Sequence, residues 1–294
     1  MLLSSGFSSR SEAGTRTEMH SHSPLVSICT PTFNRRPFIE CLIQCFLRQD
    51  YPKHLMEWLI VDDGSDSIED LIQQAKVPQI QYYRTKPQNL GAKRNFLNEM
   101  SNGEIIINFD DDDYYPPERV SHAVQILNSR PDVLAAGSSS VYTYSNQLNK
   151  IFLVGPFGEF QATAGTFAYK RELLNQTRFN DSQAVNEERF FLKNYQLPIA
   201  QLNPLKTVCL MAHCQNTVDK SHLFKLQDSM LTHESTLNLY DFIQNDAHSK
   251  MYLEAMGSLS AYPPGDIKFK PDSIKQIKAK KAARWVQRRL GSAH

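Results

Sequence analysis

Residues 108–117 read Asn-Phe-Asp-Asp-Asp-Asp-Tyr-Tyr-Pro-Pro, and this tract follows the apolar run Ile105-Ile106-Ile107. A buried strand that runs out into Asp110, Asp111, Asp112 and Asp113 ends at a surface, not inside a core. Like charges so closely spaced repel unless a cation or a set of donors compensates them. An all-oxygen donor set suits Mg²⁺ or Mn²⁺, which in turn would hold a phosphate-bearing ligand. A solvated acidic turn is the plain alternative. A second acidic pair, Glu187-Glu188, opens a helical stretch and offers a carboxylate that can take a proton. The first turn of any helix also favours acidic residues, so a purely structural role stands beside that one.

The elements that must position these groups alternate. Leu25 to Thr30 reads as a strand stopped at Pro31, and a helix follows from about Pro37 to Arg48, with Ile39, Leu42, Ile43 and Phe46 on one face. Strands are expected at Met56–Val61, Gln79–Arg84 and Glu104–Phe109, and helices at Ser67–Gln74, Asn89–Met100 and Pro117–Asn128. Such alternation predicts a doubly wound α/β sheet. Ligands then bind outside the carboxyl ends of the strands. Thr30-Pro31-Thr32, Asp62-Asp63 and Asp110 to Asp113 all fall at strand carboxyl ends, so three polar clusters are expected to converge on one crevice. Beyond residue 130 the pattern changes. One long strand, interrupted by Gly137 and serines, is expected over Val133–Tyr144, with an antiparallel return at Ile151–Val154, a helix over Glu187–Tyr195 and a strand over Lys206–Met211. Helices dominate from about His222.

Composition sets the class. The chain has 294 residues, 41% hydrophobic and 21% charged, with a net charge of +1, as in ordinary globular proteins. No run approaches a membrane span, and the first residues carry no apolar leader. Residues 1–23 are polar and read as a disordered tail. Five cysteines, Cys29, Cys41, Cys45, Cys209 and Cys214, are an odd set. Cys29, Cys41 and Cys45 sit in apolar patterns and are expected in the core of a protein kept in a reducing compartment. Cys41 and Cys45 lie one helical turn apart, without the second pair that zinc requires. From Lys268 onward nine Lys or Arg face one Asp, a surplus of eight, which leaves −7 for the rest of a chain whose total is +1. A basic tail beside an acidic body predicts a localised anionic contact, not a nucleic-acid binder. Ile274, Ile277, Trp285 and Leu290 among those basic residues read as an amphipathic helix, for a membrane surface, a partner subunit or the chain's own domain.

Four ordered motifs carry a resemblance. Thr30-Pro31-Thr32-Phe33-Asn34-Arg35, Val61-Asp62-Asp63-Gly64-Ser65, Gly91-Ala92-Lys93-Arg94-Asn95 and Phe109-Asp110-Asp111-Asp112-Asp113 resemble the motifs of family 2 glycosyltransferases over roughly residues 24–217. That resemblance implies a GT-A fold, a mixed doubly wound sheet with a Rossmann-like nucleotide-binding half. It also implies a catalytic domain over 24–221, followed here by a helical extension over 222–294. It implies a nucleotide-sugar donor, with UDP as the first expectation. Pro31, Thr32 and Asn34 would line the nucleotide pocket, Asp62 or Asp63 would meet base or ribose, and Lys93 and Arg94 would approach the nucleotide. The family's Asp-x-Asp-Asp matches Asp110, Asp112 and Asp113, with Asp111 at the variable position. Asp112 would bind Mn²⁺ or Mg²⁺, and Asp110 the ribose or the metal's water shell. His213, in His213-Cys214-Gln215-Asn216-Thr217, would reach the metal or diphosphate, or serve packing alone. Glu188 matches the aspartate that usually acts as base in an inverting transfer, and Glu187 is its rival. Gly165-Thr166 would line the sugar pocket, and Tyr114 and Tyr115 would touch the sugar or form an aromatic wall.

Two other classes compete. A nucleotidyltransferase also sets carboxylates and metal beside an α/β sheet, but needs a Gly-rich loop after the first strand, and residues 30–36 hold no glycine. A carbohydrate-binding scaffold would need neither the aspartates nor Glu188. The expected partners are a nucleotide-sugar and a glycan, glycolipid or protein acceptor, and no nucleic acid. The expected location is cytoplasmic, with peripheral contact at the cytoplasmic face of a membrane through the basic tail.

Overall fold

The computed structural model describes residues 23–217, 220, 224, 231–259 and 278–279. The polar N-terminal segment up to residue 22 and nearly all of the basic tail lie outside them.

The central strand β1 (Val26–Thr32) is buried along its whole length. Parallel strands covered on both faces must be apolar almost throughout, which explains the runs that mark β1, β2 (Met56–Asp62) and β4 (Ile105–Asn108). With β3 (Ile80–Arg84), β5 (Ala135–Gly137), β8 (Ala168–Lys170) and β9 (Ile199–Gln201) they form a seven-stranded sheet in the order β3-β2-β1-β4-β8-β5-β9. Only β8 runs antiparallel to its neighbours. Register pairs Thr32 with Asp62 and Cys29 with Asn108, so the carboxyl ends of β1, β2 and β4 open on one edge.

Helices α1 (Arg36–Leu47), α2 (Glu69–Ala75), α3 (Leu90–Met100) and α4 (Arg119–Ser129) fill the crossovers. Pro37 in the first turn of α1 has the fixed φ that suits a helix start. Its buried face is wider than the expected stripe and adds Phe38, Cys41 and Cys45. The reason is a second cover. Helix α6 (Leu239–Ile243) packs against α7 (Asp246–Ser258), which packs on the outer side of α1, in one apolar cluster with Trp58, Tyr114 and Tyr252. Trp58 stacks on Phe46 at 4.9 Å and donates its indole N–H to Thr30 Oγ1. Burial of one such side chain stabilises by about 1.5–3 kcal/mol. The opposite face of the sheet carries a smaller cluster around Leu59, Leu97, Phe179 and Phe191.

The expected strand over Val133–Tyr144 is two strands. β5 ends at Gly137, Ser138–Ser140 leave the sheet, and β6 (Val141–Ser145) enters a second sheet, β10-β6-β7-β11, with β7 (Lys150–Val154), β10 (Cys209–Ala212) and β11 (Thr232–Glu234). No side chain fits at the end of β5, since a Cβ at Gly137 would lie 2.6 Å from that of Ala162. The antiparallel return at β7 is present. The stretch 206–211 opens as a 3₁₀ turn, Pro204–Lys206, before β10 begins. The helix expected to Tyr195 is one turn, α5 (Glu188–Phe191), because Lys193, Asn194 and Tyr195 adopt left-handed φ of 49°, 57° and 64°. β11 shows that the C-terminal part is not purely helical. Cys29, Cys41, Cys45 and Cys209 are buried free thiols, and Cys214 is exposed. No helix of the described residues is long and apolar enough to cross a membrane.

Candidate active site

At the carboxyl edge of the sheet a cavity of about 320 Å³ opens, lined by Pro31, Arg35, Lys93, Arg94, all four aspartates, Gly165, Glu187, Glu188 and Lys220, among others. Three chain regions meet there because α3 grips the segment before α5. Gly91 donates its N–H to Gln183 O, and a Cβ on it would lie 2.0 Å from the Asn180 carbonyl oxygen. Asn95 Nδ2 bonds Phe179 O and Asp181 Oδ1. This close approach delivers Glu187 and Glu188 to the cavity.

Lys93 and Arg94 are both buried. Lys93 Nζ donates to Asp63 Oδ1 and to Thr32 O, both at 2.7 Å, and so ties the end of β1 to the end of β2. Arg94 bridges two carboxylates, with Nη2 at 2.9 Å from Asp110 Oδ1 and Nε at 3.0 Å from Glu187 Oε1. Its Nη1 is buried without a hydrogen-bond partner. The strand-end tract and Glu187, at the start of α5, are therefore linked through one guanidinium. Gly165 is there for space, since a Cβ would lie 2.7 Å from Asp110 Oδ2.

The four aspartates are not four equal charges, and the protein itself supplies compensating groups. Asp111 Oδ2 accepts the Phe33 N–H at 3.2 Å. Burial and the neighbouring charge of Asp112 push its pKa up to about 6. Asp112 Oδ2 receives Arg35 Nε at 3.2 Å, His213 Nε2 at 3.1 Å and Asn216 Nδ2 at 3.4 Å. Burial opposes its ionisation, but the His213 hydrogen bond and Arg35 outweigh it and hold the carboxyl well below the usual range. Asp113 Oδ1 accepts the Met211 N–H at 2.8 Å, with Lys220 Nζ 4.0 Å away. Burial drives its pKa well up, with Asp112 and Asp110 adding to the shift. Burial lowers the pKa of His213, and Asp112 opposes that shift. Its Nδ1 accepts the Gln215 N–H, and its ring stacks on Phe38 at 4.8 Å.

Other expected residues lie beside the cavity. Asp62 accepts from Gly64 N, Ile68 N, Tyr82 Oη and Arg84 Nη1, and neither Asp62 nor Asp63 is among the cavity lining. Asn34, at φ 53°, bonds Ser65 and Asp66 and braces the turn after β2. Thr32 contributes its carbonyl to Lys93. Thr166 Oγ1 bonds Thr163 O and Ser138 N. Tyr114 and Tyr115 form the aromatic wall. Tyr115 stacks on Phe109 at 3.9 Å, and Tyr114 Oη donates to Ile243 O of α6. From α7, Tyr252 Oη donates to Asp113 O at 2.8 Å and lies 3.4 Å from Cys45 Sγ. The roles of Arg35, Lys220 and Tyr252 were not assigned from sequence. Arg35 stood inside a quoted motif, but Lys220 and Tyr252 carry no local signal.

Two of the three expected metal ligands, Asp112 and His213, touch, while Asp110 is held by Arg94. No group of three His, Cys, Asp or Glu side chains among the described residues is arranged to hold an ion. The carboxylates of Asp112 and Asp110, with the His213 imidazole beside them, are donors that suit Mn²⁺ or Mg²⁺ once Arg35 and the His213 N–H leave Asp112 and diphosphate and water oxygens complete the shell.

Among known proteins, the Escherichia coli glycosyl transferase WcaA is 40% identical over 105 residues, covering 34% of this chain and 37% of that protein. The GalNAc(5)-diNAcBac-PP-undecaprenol beta-1,3-glucosyltransferase of Campylobacter jejuni is 26% identical over 202 residues, covering 59% and 60%. The matches thus span about 37% and 60% of these relatives' lengths, less than two thirds of either. A mannosyltransferase from Pyrobaculum calidifontis, solved with GDP-Man and Mn²⁺, aligns at TM-score 0.54 and 18% identity, covering 92% of this chain and 80% of that one. That likeness speaks to the fold, which is GT-A. Residues 27–184 match the glycosyl transferase family 2 profile, over half of the chain and across all four motifs, and the chain belongs to that family.

Proposed function

We propose that the chain is an inverting glycosyltransferase that moves a sugar from a nucleotide-sugar, UDP-linked as the first candidate, to a hydroxyl of a glycan, lipid or protein acceptor. The observation that carries this reading is Arg94, which joins Asp110 to Glu187 inside one cavity. The acidic tract would face the donor, and α5 would face the acceptor. The cavity's size is in the range of small-ligand sites. Asp112, with His213 and Asp110, would hold Mn²⁺ or Mg²⁺. When bound, that ion neutralises charge developing on the diphosphate leaving group. The chain's own residues do the rest. Glu188, half-buried on the cavity wall, removes the acceptor proton while the acceptor oxygen attacks the anomeric carbon. Glu187, tied to Arg94, fixes the start of α5. Lys93 and Asp63 keep the β1 and β2 ends in register, so that Pro31 lines a constant wall. The GT-A fold and family 2 motifs support this reading over a nucleotidyltransferase.

The test is a thermal-shift and hydrolysis screen of UDP- and GDP-sugars with Mn²⁺, Mg²⁺ or chelator. One donor is expected both to stabilise the protein and to be slowly hydrolysed, with hydrolysis lost in chelator. A protein that no nucleotide-sugar stabilises contradicts the proposal, and full hydrolysis in excess chelator contradicts its metal.

A further inference from the structure

The position a cation would take at Asp112 is already occupied by a side chain. Arg35 lies just before α1 and is buried. Its guanidinium makes three contacts, Nε to Asp112 Oδ2 at 3.2 Å, Nη2 to Gln215 O at 2.6 Å and Nη1 to Phe33 O at 3.4 Å. Its Nε is also 3.9 Å from Asp111 Oδ1. Asp112 Oδ2 takes two further donors, from His213 and Asn216. A carboxylate oxygen with three donors around it has no lone pair left for an ion. A divalent ion on the other oxygen would sit within a few ångströms of a guanidinium, where like charges repel strongly in a poorly screened site. Arg35 lines the cavity, within reach of an anion placed there, and guanidinium pairs well with phosphate oxygens.

We infer that Arg35 is a built-in counter-ion that a divalent ion must displace from Asp112, and that the displaced guanidinium passes to the diphosphate. Metal and nucleoside diphosphate therefore enter together, and metal alone is disfavoured. This inference rests on the metal and nucleotide reading above, and it adds a residue that couples the two ligands. Coupling of this kind is typically about 5–150-fold and must be reciprocal.

The experiment measures Mn²⁺ binding by electron paramagnetic resonance, with and without UDP or GDP, in the wild type, Arg35→Gln and Arg35→Lys. Wild-type protein should bind Mn²⁺ alone about tenfold or more weaker than with nucleotide. Arg35→Gln should bind Mn²⁺ alone about tenfold tighter than wild type, bind nucleotide weaker, and lose most of the coupling. Arg35→Lys should fall between. An Arg35→Gln protein with native circular dichroism and unchanged Mn²⁺ affinity overturns the inference while leaving the metal reading intact. No Mn²⁺ binding by any variant, with or without nucleotide, overturns both. Should Arg35→Gln fail to fold, the wild type still decides. Its Arg35 side-chain ¹⁵Nε resonance should shift on addition of Mg²⁺ with UDP or GDP, and an unmoved resonance in a protein that binds both overturns the displacement.

Discussion

Glu187 and Glu188 are adjacent, yet their surroundings predict opposite phenotypes for the same substitution. Glu187 is buried, with its side chain 5% exposed, and accepts the Arg94 Nε–H at 3.0 Å. Glu187→Gln keeps the shape and removes the charge that balances a buried guanidinium. A hydrogen bond to a charged group contributes about 1.5–3 kcal/mol, and that is the expected loss in unfolding free energy. Full rupture of a buried pair costs more, about 3–5 kcal/mol, but Arg94 keeps Asp110 and the Gln oxygen still accepts. Glu188 is half-buried on the cavity wall. Glu188→Gln should cost less stability than Glu187→Gln, because Glu188 is only half-buried and does not balance Arg94. Its transfer rate should fall by about 10²–10⁴-fold, which corresponds to about 2.7–5.5 kcal/mol of barrier. Donor affinity should be unchanged. Urea unfolding, donor Kd and initial transfer rates on both variants are the assay. If Glu187→Gln abolishes transfer and Glu188→Gln does not, the base lies one residue earlier. If the two variants are equally stable, the Arg94 argument fails.

Two further outcomes are expected. Burial lowers His248 from 6.5 to about 4, and its Nε2 lies 3.0 Å from Cys41 O. The unfolded chain binds this proton more readily, so stability from this group is complete above pH 6.5 and falls by about 3 kcal/mol as pH drops to 4. Asp111, raised to about 6, contributes the opposite slope between pH 3.8 and 6, so the readout is wild type minus His248→Gln in urea unfolding at pH 4 to 7; equal slopes refute it. Removal of residues 268–294, with their surplus of eight positive charges, should weaken binding to vesicles rich in anionic lipid, an effect that salt diminishes. Unchanged binding assigns the tail another role.

The amino-acid sequence by itself determined the alternating frame through residue 130. Parallel strands buried on both faces must be apolar, and the polar residues that follow each strand announce the binding edge. It also marked Asp110 to Asp113, Arg94, Glu187 and Glu188 as groups for the crevice, but Asp62 and Asp63, expected there too, brace the strand ends beside it. The tertiary structure decided how they are wired. Arg35 meets Asp112 across 77 positions and Arg94 meets Glu187 across 93, and no local periodicity encodes a partner at that range. The tract's repulsion was legible, but its compensation by guanidinium, imidazole and backbone N–H groups depended on which elements fold over it. The same holds for Val133–Tyr144. Gly137 and the serines mark an interruption in its pattern, but only the packed chain places its two halves in different sheets. Local patterns report which face of an element is buried, and only the packed chain determines what lies against it.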